Sequence, residues 1–188
     1  MKRPITLRYI IALSLIIGLC ATQCRKDRPE DEPEPELPPI TTEGKNTFGC
    51  KVDGEIWIPR THWASGFSGV HTLTSSYNSN TGSFLINAKK KHDGINQSMA
   101  LSANLKNYGN QILLPSESAG GVYSDISKSC SFETDTVHTG EINILKHDTA
   151  NGIVAGTFSF TAILHDGKDE CKEIVEVTEG RFDVNYKN

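Results

Sequence analysis

The sequence has few aromatic residues, few prolines outside one short stretch and no excess of positive charge. Aromatic residues make up 7% of its 188 residues, and 19 basic side chains stand against 23 acidic ones, a formal net charge of −4. A nucleic-acid-binding protein would carry a basic patch, so this balance argues against nucleic acid as a partner. Five cysteines are too few for a disulfide-dense miniprotein, and a hydrophobic content of 37% is that of an ordinary globular chain.

Motifs of the common enzyme classes are also missing. The sequence contains no Gly-x-Ser-x-Gly elbow, no phosphate-binding loop, no dinucleotide fingerprint and no His-Glu-x-x-His zinc motif. His92, His147 and His165 each precede an aspartate, but two of those aspartates start Asp-Gly turns. Turn formation explains them without catalysis. We therefore expect no enzyme activity, no catalytic residue, no metal site and no cofactor.

The first 23 residues have the pattern of a secretory signal. Lys2, Arg3 and Arg8 form a positively charged start, and an apolar run follows over residues 9–19. A membrane-spanning helix needs about 20 apolar residues, so this run is too short to span a bilayer. A charged start followed by a short apolar run is typical of a signal peptide. We predict a lipoprotein signal peptide over residues 1–23.

Two cysteines, Cys20 and Cys24, occupy the place where a small-residue cleavage site is usual. A cysteine directly after the apolar run is typical of a lipoprotein, in which it receives acyl chains and becomes the first residue of the mature protein. We favour Cys24 as the lipidated residue, because residues 21–23 are small or polar, and Cys20 is the alternative. A plain secreted protein with incidental cysteines is the other interpretation.

Residues 24–43 have the composition of a tether. Five of the eight prolines and seven acidic residues lie here, and apolar side chains are almost absent. Such a segment cannot bury enough apolar surface to fold, and alternating Glu and Pro favours an extended, self-repelling chain. We expect a disordered stalk that holds the following domain away from a membrane, with a merely solubilising tail as the alternative.

The charges that follow Cys24 resemble an export signal. Arg25-Lys26-Asp27 and then Glu30-Asp31-Glu32 are similar to the lysine-plus-acidic signal of Bacteroidota surface lipoproteins. This resemblance implies a lipid anchor in the outer leaflet of the outer membrane, facing the medium, and an ordinary acidic linker is the alternative. Whether the protein faces the periplasm or the medium therefore stays open.

From residue 44 to the C-terminus the hydrophobic pattern has a period of two. Apolar and polar residues alternate over residues 48–52 and again over residues 99–105. Such alternation is typical of half-buried β-strands, and Asp53-Gly54 is one of several turn signals between them. We predict one all-β domain over residues 44–188, with nine or ten short antiparallel strands that form a sandwich or a closed barrel.

Three cysteines remain in this domain, so one pair and one free thiol are expected in an oxidising envelope. Cys50 shares a face with Phe48 and Val52, which suits a small buried residue. Cys130 and Cys171 lie near strand ends, where two side chains meet more easily. We predict a disulfide between Cys130 and Cys171.

Aromatic side chains give a hint of ligand binding. Trp57 and Trp63 lie just before a stretch rich in serine and glycine. If Ile56 and Ile58 face the core, Trp57 faces outward, where an exposed tryptophan suits a sugar ring or a protein partner. In a sandwich, Trp57 would equally well cover the second sheet. We take Trp57 and Trp63 as candidate ligand-binding residues.

Two threonines match a short modification pattern. Asp135-Thr136-Val137 and Asp148-Thr149-Ala150 are similar to the Asp-Thr-apolar acceptor of O-glycosylated Bacteroidota envelope proteins. Both lie at expected strand ends or turns, where a modifying enzyme has access. Thr136 and Thr149 are therefore candidate O-glycosylation sites.

Three longer stretches stand out together. They are Asn46–Cys50 with Val52–Gly54 and Trp57–Pro59, then Gly152–Phe158, and then Thr178–Val184. In this order they resemble a family of small, uncharacterised Bacteroidota lipoproteins, classed only as a domain of unknown function. The resemblance implies a location in a Gram-negative envelope, and it implies no activity and no catalytic residue.

The last of these stretches contains an alternation of charge and apolar side chains. Arg181 and Asp183 lie on the face opposite Phe182 and Val184. They are placed to pair with each other or with a neighbouring strand. We interpret them as structural.

Together these features favour a membrane-anchored envelope lipoprotein whose β-domain binds a glycan or an envelope protein. A structural or accessory envelope protein without a small ligand is the first alternative. A hydrolase is the second alternative, because glycosidases need only two carboxylates, which sequence alone cannot pair.

Overall fold

The fold consists of β-strands. The computed structural model describes residues 35–61, 72–92, 94–106, 109–114 and 119–187, and these residues contain twelve strands and no helix. The expected all-β class is confirmed, with more strands than the nine or ten counted in the sequence. The strands are β1 (Thr47–Val52), β2 (Glu55–Trp57), β3 (Arg60–Thr61), β4 (Leu73–Tyr77), β5 (Ser83–His92), β6 (Ile95–Asn104), β7 (Asn110–Leu113), β8 (Gly120–Asp125), β9 (Cys130–Glu133), β10 (Gly140–Asp148), β11 (Ile153–Asp166) and β12 (Ile174–Asn185).

The predicted signal peptide, with Cys20 and Cys24, lies outside the described residues. Within the described ranges, no helix is long and apolar enough to cross a membrane.

All twelve strands belong to one sheet, whose main path runs β2-β1-β12-β11-β9-β8-β6-β5-β3. The long strand β11 is the branch point. β12 follows one side of it, while the other side pairs with β10 near the start of β11 and with β9 near its end. β7 extends the branch beyond β10, and β4 pairs with β5. Among the described strands, the pairing of β3 with β5 is parallel and the others are antiparallel.

The sheet curls until its two halves face each other. The Sγ atom of Cys50 on β1 lies 3.8 Å from the Sδ atom of Met99 on β6. The ring centroids of Phe84 on β5 and Phe182 on β12 are 6.2 Å apart. β2 and β3 stand at opposite ends of the strand order, yet residues 58 and 59 alone separate them in the chain. The sequence left open whether the strands form a sandwich or a barrel. The structure shows a single curled sheet whose inner face forms the core.

A β-bulge in β12 shifts the strand register next to Phe158. The register of β12 shifts relative to both β1 and β11 between Val177 and Arg181, and Glu179 in this interval has a φ of +51°. The next residue, Gly180, lies against the Phe158 ring, because a Cβ atom on Gly180 would stand 2.5 Å from that ring. This part of the Thr178–Val184 stretch is thus a packing feature.

The antiparallel order brings four connections to the same end of the curled sheet, referred to below as the hairpin end. They are the β1–β2, β5–β6 and β8–β9 turns and the β11–β12 loop. In the β1–β2 turn, Asp53 and Gly54 have φ values of +50° and +84°, as a type I′ turn requires, so this sequence signal is confirmed. The β4–β5 and β10–β11 turns lie at the opposite end.

Asp183 is a buried anchor for the segment that leads into β1. The residue is 1% exposed, and its carboxylate accepts hydrogen bonds from the Thr41 hydroxyl at 2.6 Å and from the amides of Glu43 and Gly44 at 2.9 and 2.7 Å. Arg181 instead donates its Nε–H to the carbonyl of Glu179 at 3.0 Å. The structural interpretation of Asp183 therefore holds, but its partners are backbone amides and a hydroxyl rather than a charged strand neighbour.

Residues 35–43, assigned from the sequence to a disordered tether, are ordered in the structure, whereas residues 24–34 lie outside the described part of the chain. From Pro35 onward the chain belongs to the same compact unit as the sheet, nine residues before the boundary expected at residue 44. Pro38 packs on Gly49, where a Cβ atom would stand 2.6 Å from the proline ring. Lys146 donates to the carbonyl of Thr42 at 3.0 Å. Disorder over residues 35–43 was therefore wrong, because buried partners on the sheet satisfy this segment's polar groups.

Candidate functional site

The hairpin end of the sheet opens into a cleft of about 470 Å³. Aromatic and apolar side chains form its inner wall, namely Trp57, Ile95, Tyr123 and Phe132. The remaining polar lining residues come from strand ends and from the surrounding turns: Asp53, Glu55, Lys90, Gln97, Asp125, Lys128, Glu170 and Lys172. An aromatic wall with a small number of polar groups is the usual composition of a ligand pocket.

Three polar residues form a row across the inner face of the sheet at this end, referred to below as the polar row. Lys90 on β5 is the cross-strand partner of Gln97 on β6, and Gln97 is in turn the partner of Asp125 on β8. Each residue continues the alternation that buries the other inward side chains of its strand. The polar row therefore lies where the apolar core gives way to the cleft.

Hydrogen bonds fix the middle of the polar row. The indole Nε1–H of Trp57 donates to Oε1 of Gln97 at 3.0 Å, and Nε2 of Gln97 donates to Oδ2 of Asp125 at 3.2 Å. The Ser127 hydroxyl donates to Oδ1 of Asp125 at 2.7 Å. The Lys128 ammonium lies 3.4 Å from Oδ2 of Asp125. Because both ends of the Gln97 amide have partners, its orientation in the cleft is set.

The two charged members of the polar row have shifted pKa values. Burial by itself would raise the pKa of Asp125, but the hydrogen bonds from Ser127 and Gln97 and the charge of Lys128 together bring it below its ordinary value. Asp125 is therefore ionised at neutral pH. Burial lowers the pKa of Lys90 below its ordinary value. Burial and the nearby Asp125 charge raise the pKa of Tyr123, so its hydroxyl stays protonated.

A disulfide holds one side of the cleft. Cys130 at the start of β9 is bonded to Cys171 in the β11–β12 loop, as the sequence predicted, with their Cα atoms 5.9 Å apart. The same loop places Lys172 against Asp53 in the β1–β2 turn, where they form an ion pair. The disulfide and the ion pair thus join the β8–β9 turn, the β11–β12 loop and the β1–β2 turn at the hairpin end.

The outward orientation expected for Trp57 is wrong. Trp57 is 2% exposed, and it is the cross-strand partner of Cys50, whereas Ile56 faces Lys51. Directly paired residues point to the same face, so the buried Cys50 carries Trp57 inward with it. Trp57 nevertheless lines the cleft from within. The second candidate, Trp63, lies outside the described residues.

The other residues singled out in the sequence lie elsewhere. Cys50 is a free thiol with no exposed surface, and burial raises its pKa to about 12. Thr136 and Thr149 are both exposed, in a bend and in a turn respectively. In the described part of the chain, no three His, Cys, Asp or Glu side chains are grouped as metal ligands.

In the two neighbouring His-Asp pairs that the structure describes in full, the histidine contacts a residue other than its aspartate, whereas Asp93, which follows His92, lies outside the described residues. Nδ1 of His165 pairs with the carboxylate of Glu133 at 2.5 Å. His147 packs edge-on against Tyr77, with ring centroids 4.9 Å apart, and burial lowers its pKa. Asp148 accepts from the amide of Asn151 at 3.0 Å, which is the turn role that its position suggests.

Comparison with known families covers nearly the whole sheet. A family model described as a domain of unknown function (DUF6252) matches residues 45–184. The chain belongs to this family. The resemblance to an uncharacterised domain family is thereby confirmed, and the match spans all twelve strands apart from the last residue of β12. No curated protein and no solved structure matches the chain.

Sequence reasoning missed the polar row of this DUF6252 domain. The sequence did contain a sign of it in the alternation of inward and outward residues. Lys90 occupies an inward position of β5, in line with Ile86 and Ala88. Gln97 and Asp125 likewise occupy inward positions of their strands. Polar residues in the buried phase of three strands indicate an interior polar site. Only the strand order reveals that all three lie at the same end of the sheet.

Proposed function

We propose that this DUF6252 protein is a non-enzymatic binding module that holds a saccharide in the cleft at the hairpin end. The observation that carries the proposal is the polar row beside an aromatic wall. Sugars present both apolar ring faces and hydroxyl groups. The largely buried rings of Tyr123 and Trp57 form the inner wall of the cleft, while Gln97 and Asp125 offer fixed hydrogen-bonding groups of the kind that orient a bound ligand.

Tryptophan fluorescence gives a direct test at the site. The chain has two tryptophans, so a Trp63→Phe variant of the full-length protein leaves Trp57 as its sole tryptophan. Titration with a panel of neutral and acidic oligosaccharides is expected to change Trp57 emission in a saturable way. At a hundredfold excess over Kd the ligand adds about 2.7 kcal/mol of stability, which raises the unfolding midpoint by several degrees.

Two variants locate the binding event. Gln97→Met removes the hydrogen bonds at the centre of the polar row and is expected to abolish the response. Ser98→Ala, one residue away on the outward face of β6, is expected to leave it intact. If neither fluorescence nor the unfolding midpoint responds to any saccharide, the proposal fails.

A structural or accessory envelope role, tested by crosslinking on intact cells, is then favoured. Product analysis of the same mixtures tests the hydrolase alternative.

We further propose that the protein is a lipoprotein of the outer membrane, anchored through acyl chains on Cys24. The supporting observations are the short apolar run, the following cysteines and the Pro/Glu-rich residues 24–34. Metabolic labelling with a palmitate analogue in a Gram-negative host tests the anchor. Cys24→Ser is expected to abolish the label and Cys20→Ser to preserve it. The reverse result would assign the lipid to Cys20, and label in neither wild type nor variant would contradict the anchor.

Modification of Thr136 and Thr149 is a separate proposal. Both are exposed and lie in short polar connections, where a transferase can reach them. The intact mass of protein from its native envelope is expected to exceed that of the lipidated chain by a glycan, and Thr136→Ala and Thr149→Ala together should remove the excess. A mass explained by lipidation alone contradicts this proposal.

A further inference from the structure

Lys90 is a half-buried cation that lines the cleft, with Glu55 and Arg60 as its charged neighbours. Its strand alternation turns it toward the inner face, in the same phase as Ile86 and Ala88. Its ammonium makes no hydrogen bond or ion pair with another described residue. Its cross-strand neighbour Gln97 already uses Oε1 to accept from Trp57, so that oxygen is engaged elsewhere.

The other charges of the cleft are either paired or fully at its rim. Asp125 is held by Ser127, Gln97 and Lys128, and Asp53 is paired with Lys172. The two carboxylates left, Glu55 and Glu170, are exposed to solvent. Solvent screens exposed charges far more than half-buried ones. Glu55 attracts the Lys90 ammonium electrostatically and Arg60 repels it, but neither makes an ion pair with it. Among the described residues, the half-buried wall of the cleft therefore presents a positive charge without an ion-pair partner.

We propose that the saccharide bound in the cleft is an acidic one and that its carboxylate binds the ammonium of Lys90. This inference rests on the proposed saccharide-binding function and names the class of sugar. A half-buried ammonium is poorly solvated, so a ligand carboxylate restores its interactions by a charge-assisted hydrogen bond. Such a bond is about twice as strong as one between neutral groups, and this difference selects an acidic sugar over its neutral counterpart.

The polar row also gives the ligand a direction. Lys90 and Asp125 are separated by two strand spacings, roughly 10 Å, with Gln97 between them. A carboxylate at the Asp125 end would meet a like charge, whereas hydroxyl groups there can donate to acceptors. The acidic group is therefore directed to β5 and the hydroxyl groups to β8.

Binding of uronic acids and their esters separates charge from shape. The probes are glucuronic and galacturonic acid, as monomers and trimers, each beside its carboxyl methyl ester, which keeps the ring and removes the charge. Affinity is measured on the full-length protein by calorimetry and by Trp57 fluorescence in the Trp63→Phe background. At least one acid is expected to bind roughly tenfold or more tighter than its ester.

Variants at Lys90 test the assigned residue. Lys90→Gln is expected to remove the preference for the acid, and Lys90→Arg to retain it. Lys89→Gln, which deletes a charge on the exposed face of the same strand, should leave the preference unchanged. The thermal unfolding midpoint of each variant confirms that it is folded before binding is compared.

The failures of the two proposals are distinguishable. Equal binding of acids and esters, an acid preference that survives in Lys90→Gln, or binding of neutral sugars alone overturns the role of Lys90 and leaves the saccharide module standing. Silence toward every acidic and neutral sugar in the panel overturns both.

Discussion

Trp57 on β2 donates its indole N–H to Oε1 of Gln97 on β6 across the mouth of the curled sheet, at 3.0 Å. β2 is the end strand of the sheet path, bonded along its backbone to β1. The side-chain bond therefore ties this end strand to the half of the sheet that faces it. It also fixes the Gln97 amide so that its nitrogen donates to Asp125.

Replacing Gln97 should weaken the fold as well as the cleft. Gln97→Met leaves the indole N–H of Trp57 and one bond of Asp125 unmatched, and an unsatisfied buried polar group costs about 1–3 kcal/mol. We expect the free energy of unfolding to fall by that amount in urea denaturation. Ser98→Ala on the opposite face should change it by less than about 0.5 kcal/mol. Equal stability of Gln97→Met and wild type would show that water replaces Gln97 without cost.

Asp183 should hold the chain preceding β1 on the sheet. Asp183→Asn removes the charge that accepts bonds from Thr41, Glu43 and Gly44, and bonds to charged groups contribute about 1.5–3 kcal/mol each. We expect a stability loss of about 2 kcal/mol and faster tryptic cleavage after Lys45. Glu176→Gln, an exposed change on the same strand, is the matched control. Unchanged cleavage after Lys45 would contradict the anchoring role.

The same carboxylate predicts how acid affects stability. Burial alone would raise the pKa of Asp183, but the bonds from Thr41 and from the amides of Glu43, Gly44 and Lys45 bring it below its ordinary value. A depressed folded-state pKa stabilises the protein above the unfolded pKa of about 3.9, and that stabilisation is lost as pH falls through the folded pKa. Urea denaturation from about pH 5 downward should therefore show falling stability, with a smaller fall in Asp183→Asn. Parallel curves for both proteins would refute the assignment.

The strand alternation and the turns could be predicted from the sequence. The side of the sheet to which Trp57 points was predicted wrongly, because Ile56 and Ile58 were chosen as the inward residues of that strand. The Asp53-Gly54 turn was recognised, and its two-residue length pairs Cys50 with Trp57. Cys50 was placed inside, so the turn register already implied an inward Trp57. With Ile56 and Ile58 taken as core residues, the inward and outward faces of β2 are exchanged, because side chains of adjacent residues in a strand point to opposite faces.

Asp183 and the polar row required the three-dimensional structure for a different reason. Asp183 stands on the outer face of β12 and is buried there by residues 41–45, a segment whose composition gives no sign of order. Lys90, Gln97 and Asp125 meet through pairings of β5 with β6 and of β6 with β8. No local pattern reports which strands become neighbours. The Cys130–Cys171 disulfide could be predicted from the sequence, because the third cysteine, Cys50, was expected to be buried and the other two lie near strand ends.

The Cys130–Cys171 disulfide should stabilise both the fold and the rim of the cleft. Its cysteines are 41 residues apart, and loop entropy gives about 4 kcal/mol for a loop of this size. Reduction should lower the free energy of unfolding by an amount approaching that value, and should leave a Cys130→Ser, Cys171→Ser double variant unaffected. Because the bond positions Lys172 against Asp53, reduction should also weaken saccharide binding before the sheet unfolds. Affinity that stays constant under reducing, still-native conditions would mean that the β11–β12 loop does not shape the cleft.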